Sequence, residues 1–90
     1  MYATLVRTRH PGGVTDAGVR ILHEQAVPLL RAQPGFVAGY WTDARGNESL
    51  AFFVFEDQSA ASAAAPAPGT DAGDGVTIEH VEVREILASA

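Results

Sequence analysis

The sequence predicts an α+β fold of the ferredoxin-like type, in which a four-stranded antiparallel sheet carries two helices on one face. Apolar residues alternate as in strands along four stretches, and they recur at helical spacing between the first two. Pro-Gly and Gly-rich stretches separate these runs. The resulting order is β-α-β-β-α-β, with the second and third strands joined as a hairpin, which is the order of a split βαβ arrangement.

The first strand is predicted over residues 2–9, where successive side chains fall on opposite faces. Pro11-Gly12-Gly13 ends this strand. Thr15 or Asp16 then provides an oxygen that caps the first helix by accepting a hydrogen bond from a free N–H group.

The first helix is predicted over residues 17–32, where apolar side chains form one stripe and charged side chains lie off it. One face of this helix is therefore expected to be buried. Pro28 lies inside the helix and has no N–H to donate to the carbonyl of Glu24, so we expect a kink there. Gln33-Pro34-Gly35 ends the helix.

Two further strands follow, over residues 36–42 and 49–55, and residues 43–47 have the composition of a hairpin loop. Asp57 is the predicted cap of a weak, alanine-rich second helix. An acidic loop is expected over Gly69–Gly75, before a last strand from Val76 to Leu87.

The apolar pattern of the third strand predicts that this chain pairs with a second copy of itself. Leu50–Phe55 is apolar on both faces of the strand, although helices cover one face of such a sheet only. Counting along the second strand places Phe36 and Tyr40 beneath the helices and Val37 and Trp41 on the uncovered face. We therefore expect a homodimer built sheet against sheet.

The last strand changes its apolar phase partway along. Val76 and Ile78 share one face, Val81 and Val83 share the other by simple alternation, and the change falls at Glu79-His80. Either a bulge or a strand that continues onto a partner subunit would produce this change. The length of the strand favours the second explanation.

Composition limits the class of protein. Ninety residues form one domain over 1–90, and 47% hydrophobic residues are more than a small monomer easily buries. The net charge of -5, without a basic stripe, disfavours nucleic acid and anionic membranes as partners. With no cysteine and no signal-peptide pattern at the start, we expect a soluble, cytoplasmic protein.

The segment Val27–Phe36, followed by the hairpin and then by Phe53–Asp57, resembles the antibiotic-biosynthesis-monooxygenase-like family. The resemblance covers nearly the whole chain and implies a dimeric α+β barrel. Some members of that family oxidise aromatic polyketides or quinols with oxygen and neither metal nor flavin, and others degrade haem. The resemblance therefore implies an enzyme without a cofactor.

The haem-degrading members use an Asn, a Trp and a His, with the His on the second helix. Here the first strand carries no Asn and residues 57–65 carry no His, so this activity is disfavoured. The oxygenases use Asn, Trp, Tyr and Arg around an aromatic cleft. Here Tyr40, Trp41, Arg7 and Phe53 are the candidates for substrate binding, and the asparagine of the sequence, Asn47, lies in the hairpin loop. Catalytic roles therefore do not transfer residue by residue.

Two histidines are the candidate catalytic bases. His23 begins His-Glu-x-x-His, but Val27 replaces the second histidine, so we expect no metal site. His80 lies where the phase of the last strand changes. His10 precedes Pro11 in a loop and is expected to be solvated.

Two functions remain open from the sequence. One is a cofactor-independent monooxygenase acting on a small aromatic or quinone-type molecule. The other is a non-catalytic dimeric module that binds a small ligand or acts as a scaffold. A cavity on the order of several hundred cubic ångströms with a polar group inside would favour the first.

Overall fold

The computed structural model describes residues 1–73 and 75–90, and their strands form one antiparallel sheet with helices on one face. The strands are β1 (Tyr2–Arg9), β2 (Phe36–Arg45), β3 (Glu48–Phe55), β4 (Asp71–Gly73) and β5 (Val76–Glu85). Their order across the sheet is β2-β3-β1-β5-β4. The four long strands with their helices are compatible with a ferredoxin-like fold.

The short strand β4 lies where the sequence predicts a loop. It pairs with the start of β5, Asp71 facing Thr77 and Gly73 facing Val76. The loop predicted over Gly69–Gly75 is therefore partly a strand, and its residue Asp74 lies outside the described residues.

The long helix consists of three consecutive segments, α1 (Asp16–Ile21), a π-helical turn (Leu22–Ala26) and α2 (Val27–Arg31). The predicted cap is confirmed at Thr15, whose Oγ1 accepts a hydrogen bond from the N–H of Gly18 at 3.0 Å. No helix in the described part of the chain is long and apolar enough to cross a membrane.

The helix is disturbed just before Pro28, where its turn widens. The N–H of Val27 donates to the carbonyl of Leu22, five residues earlier rather than four. Pro28 itself has no N–H for the carbonyl of Glu24, so the normal pattern cannot continue at this point. The disturbance predicted at Pro28 therefore takes the form of a π-helical turn.

The hairpin between β2 and β3 is confirmed, but its loop is shorter than predicted. The strands continue to Arg45 and restart at Glu48, so Gly46 and Asn47 alone make the turn. Both have positive φ, 57° and 67°. Such turns match the twist of the paired strands, which explains why strand pairing extends over residues assigned to the loop.

A bulge in β2 reverses the predicted facing of Tyr40 and Trp41. Phe36 pairs with Phe55, but the next pair of the register is Ala38 with Val54, so one extra residue is inserted. From Ala38 to Trp41 each side chain therefore points to the face opposite to the one that simple alternation predicts, and a second register shift follows between Trp41 and Ala44.

The positions of the two aromatic rings show this reversal. Trp41 packs against Phe53 beneath the long helix, with ring centroids 5.3 Å apart. Tyr40 is 56% exposed and lies 5.2 Å from Phe52 on the uncovered face. The prediction that Tyr40 lies under the helices and Trp41 on the other face is therefore wrong.

A second bulge explains the phase change of β5. His80 pairs with Arg7 and Ile78 pairs with Thr8, so Glu79 is the inserted residue. The strand stays paired with β1 from Thr77 to Glu85. The bulge, rather than continuation onto a partner subunit, accounts for the change of phase.

The buried core lies between the sheet and the second helix, α3 (Gln58–Ala63), which Asp57 caps as predicted. Phe55 is fully buried and meets Phe36 edge to face, with centroids 5.9 Å apart. Thr4, also fully buried, donates its hydroxyl proton to the carbonyl of Ala61 at 2.9 Å. This packing holds α3 against the sheet and leaves space between the sheet and the long helix.

Candidate functional site

A cavity of about 410 Å³ lies between the long helix and the sheet. Apolar side chains of the sheet form its floor and part of the long helix forms its roof. The aromatic pair of Trp41 and Phe53 stands in its wall. The floor includes Val6, Ala51 and Ile78, and the roof includes Gly18, Ile21, Leu22 and Ala26.

Three polar groups meet at one end of this cavity. Nε2 of His10 lies 2.7 Å from Oγ of Ser49 and 3.0 Å from Oγ1 of Thr8. The two hydroxyl oxygens are 2.7 Å apart. We call these three residues the polar triangle. They are the hydrogen-bonding groups able to orient a ligand at this end of the cavity.

Strand pairing and a turn place the members of the polar triangle. Thr8 and Ser49 face each other as register partners on β1 and β3. His10 follows β1 directly, where its N–H donates to the carbonyl of Asn47 at 2.6 Å and its carbonyl accepts from the N–H of Gly13 at 2.9 Å. These backbone bonds hold the imidazole over the two hydroxyls.

The cavity has little charge. Among the described residues that line it, His10 is the one ionisable side chain, and none is a carboxylate, lysine or arginine. Apolar walls with a small number of polar groups are typical of sites for small organic molecules. The composition therefore favours a mostly apolar ligand with few hydrogen-bonding groups.

A smaller cavity of about 220 Å³ adjoins the first one. Trp41, Phe53, Ala26 and Pro66 line both. The aromatic pair therefore divides the space under the long helix, and a rotation of either ring would change how much of it a ligand can use.

Two of the predicted binding residues belong to this cavity and two do not. Trp41 and Phe53 line it, as described above. Tyr40 lies on the uncovered face of the sheet, and Arg7 is exposed there with its Nε 3.5 Å from a carboxylate oxygen of Glu79. Tyr40 and Arg7 therefore do not line this cavity.

The predicted catalytic histidines also lie elsewhere. His23 is exposed on the π-helical turn, and His80 is exposed with its Nε2 3.9 Å from Oε1 of Glu82. His10, expected to be solvated, is half-buried and bonded within the polar triangle. The prediction for His10 is therefore wrong, because the chain turns back at Gly13 and holds its side chain over the sheet.

The charged side chains of β1 and β5 form ion pairs on the uncovered face. Glu79 accepts a hydrogen bond from the guanidinium of Arg9, which raises the pKa of Arg9 above its usual value. A hydrogen bond from Arg84 lowers the pKa of Glu82 below its ordinary value. These pairs are exposed, so we attribute little stability to them.

Metal ligands do not cluster in the described residues: no group of three His, Cys, Asp or Glu side chains is placed to hold an ion there. His23 has Val27 where the zinc motif has its second histidine, so this face of the helix offers a single ligand of that motif.

Sequence reasoning missed the polar triangle because Ser49 is distant in the chain from Thr8 and His10, 41 and 39 residues away. The available signal was that Ser49 ends the buried alternation of Ala51, Phe53 and Phe55, with a polar residue on the helix-covered face. Thr8 ends the same face of β1 after Thr4 and Val6 in the same way.

No protein-family model, curated protein or solved structure matches the chain.

Proposed function

We propose that this protein binds a small, flat aromatic molecule carrying an oxygen substituent, of the phenol, quinol or quinone type. The observation that supports this proposal is the polar triangle at one end of a cavity walled by Trp41 and Phe53. An aromatic ligand would pack against these rings, and its oxygen would bond to the triangle.

The size of the cavity fits such a ligand. A volume of about 410 Å³ falls within the range of small-molecule sites, roughly 300–1,000 Å³. The low charge of its walls disfavours nucleotides and sugar phosphates, which need several cationic or N–H donors. One polar end also defines the orientation of the ligand.

The activity that we propose is a cofactor-independent monooxygenase reaction. Such chemistry requires a substrate that donates electrons to oxygen once it has lost a proton. An imidazole that holds a basic nitrogen at the polar end of an apolar cavity is suited to take this proton. His10 takes the place of His23 and His80 as the candidate base, because those two side chains are exposed.

Oxygen uptake with a panel of quinols tests this activity. We expect uptake with the wild-type protein and a decrease of about 100-fold in His10→Ala, the usual scale for loss of a general base. His23→Ala serves as the matched control, since its side chain is exposed, and should retain the rate. Uptake that is unchanged in His10→Ala would contradict the proposed role of His10.

The second candidate function is binding without catalysis. The observation that favours it is that His10 is the single ionisable side chain among the described lining residues. One such side chain is sufficient to orient a ligand. The one tryptophan of the sequence, Trp41, stands in the cavity wall and reports binding by its fluorescence. Quenching by quinols without oxygen uptake would support this second function.

We also propose that two copies pair through the uncovered face of the sheet to form a dimeric α+β barrel. Tyr40 and Leu50 are each 56% exposed, and Phe52 is 37% exposed. These residues lie side by side on β2 and β3 and form an apolar surface that a second copy would bury. The ion pairs of β1 and β5 lie beside this surface and would contribute its polar rim.

Sedimentation equilibrium at micromolar concentration tests the dimer. We expect the wild-type protein to sediment with twice the mass of the chain and Leu50→Asp to sediment as a monomer, because burying a carboxylate in an apolar interface is costly and opposes association. Leu29→Asp is the matched control, since Leu29 is 68% exposed on the helical side of the molecule. A monomeric wild-type protein would show that this pairing does not occur.

A further inference from the structure

The polar triangle is closed, and this limits where its protons can go. Each of the three polar atoms is within hydrogen-bond distance of the other two, at 2.7, 2.7 and 3.0 Å. Three contacts require three protons, but the two hydroxyl groups supply only two. The state of Nε2 of His10 therefore decides what the triangle offers to a ligand.

When Nε2 carries no proton, both hydroxyl protons are used inside the triangle. We assign Ser49 as the donor to Nε2, because its contact of 2.7 Å is shorter than the 3.0 Å of Thr8, and Thr8 then donates to Oγ of Ser49. No proton remains for a ligand, but Oγ of Ser49 keeps a lone pair that accepts one. In this state the end of the cavity complements a ligand hydroxyl group, which is a donor.

When Nε2 carries a proton, it only donates, and one hydroxyl proton is left without an acceptor in the triangle. If Thr8 held it, its nearest acceptor would be the carbonyl of Ser49 at 3.5 Å, which is long for a hydroxyl hydrogen bond. The spare proton therefore belongs to Ser49, which is only 7% exposed. A ligand oxygen without a proton would accept it.

From these two states we infer that Ser49 relays a proton from a ligand hydroxyl to His10. The ligand O–H bond breaks as its proton moves to Oγ of Ser49, and the proton that Ser49 held moves to Nε2. The ligand oxyanion then accepts a hydrogen bond from the new Ser49 hydroxyl. Nothing is oxidised or reduced, and the net result is one proton moved from ligand to imidazole.

The surroundings favour the charged pair that results. Among the described lining residues, β1, β3 and the long helix contribute no other ionisable side chain. Arg9, next to His10 in the chain, forms ion pairs with Glu79 and Glu48. Its Nη2 lies 3.6 Å from Oε1 of Glu48. The oxyanion and the imidazolium therefore interact with each other in a weakly polar space. This inference rests on the proposed binding of an aromatic hydroxyl compound.

The test uses umbelliferone, a hydroxycoumarin whose phenol and phenolate absorb at different wavelengths, and its methyl ether, which has no proton to give. We expect bound umbelliferone to have a phenolate-to-phenol ratio about tenfold above that of the free dye at the same pH, because hydrogen bonds to an ionised oxygen are about twice as strong as neutral ones. Absorption spectra with and without saturating protein measure the ratio.

Variants separate a relay from a merely structural role. Ser49→Ala should return the ratio of the bound dye to that of the free dye, and Ser49→Thr should restore the raised ratio. Thr8→Val should lower the ratio less than Ser49→Ala does, because Ser49 still bonds directly to Nε2. Ser62→Ala, an exposed serine on α3, is the control, and circular dichroism verifies that each variant is folded.

The outcomes distinguish the relay from the proposed function. If neither dye binds, the proposed function fails and the relay with it. If both bind but the wild-type ratio equals that of the free dye, the relay is wrong and ligand binding stands. A raised ratio that persists in Ser49→Ala and disappears in Thr8→Val would also overturn the inference, because the proton would then pass through Thr8.

Discussion

Phe55→Ala is expected to lower the free energy of unfolding by about 3–5 kcal/mol, the usual cost of removing a buried phenylalanine ring. Phe55 is fully buried, at 0% exposure, and its ring meets Phe36 edge to face. A domain of this size has a total stability of about 5–13 kcal/mol. The variant should therefore melt more than about 10 °C below the wild-type protein.

Urea unfolding followed by the fluorescence of Trp41 measures this loss. Phe52→Ala is the matched control on the same strand, since Phe52 is 37% exposed and loses less contact. Its cost should be less than half that of Phe55→Ala when both are measured at a concentration where the chains are monomeric. Equal costs for the two variants would mean that the core does not lie under α3.

Gly35→Ala is expected to destabilise the protein by about 1–3 kcal/mol, for two separate reasons. Gly35 ends the turn after the long helix with φ +77°, a conformation that alanine adopts only with strain. A Cβ there would also lie 3.0 Å from the Cβ of Ala60 on α3. The carbonyl of Gly35 accepts from the N–H of Glu56 at 2.9 Å, so the turn cannot move away freely.

Gly46→Ala separates these two costs. Gly46 also has positive φ, +57°, but a Cβ at that position would meet nothing within 4 Å. Its variant should therefore carry the backbone cost alone. Ala60→Gly removes the Cβ that Gly35→Ala would contact, and its own cost as a glycine in a helix, about 1 kcal/mol, is measured in the single variant. After that cost is subtracted, the double variant Gly35→Ala with Ala60→Gly should lose only as much stability in thermal unfolding as Gly46→Ala does. Equal effects of the two glycine variants would contradict the contact with Ala60.

Local patterns were sufficient to predict most elements of the fold. Alternation located β1 at residues 2–9, and helical spacing located the long helix to within a residue at each end. Thr15 and Asp57 cap helices as predicted, because a cap depends on the few N–H groups next to it. These features depend on neighbours in the chain, which the sequence shows directly.

The face of the sheet to which each side chain points was harder to predict, because it depends on counting residues along a strand. One inserted residue in β2 exchanged the sides of Tyr40 and Trp41, and one inserted residue in β5, Glu79, changed the phase of that strand. A bulge is a property of two paired strands, since it is defined by the partner that the extra residue lacks. A single strand read alone therefore does not show it.

The sequence by itself predicted the four long strands, the hairpin, the cap at Asp57 and the apolar residues on both faces of β3. Only the tertiary structure shows that His10, rather than His23 or His80, lines the cavity. His10, Thr8 and Ser49 come from the end of β1 and the start of β3, some forty residues apart, and they meet because Thr8 and Ser49 are register partners. Register and bulges are set by contacts between distant segments, and these contacts decide which side chains line the cavity.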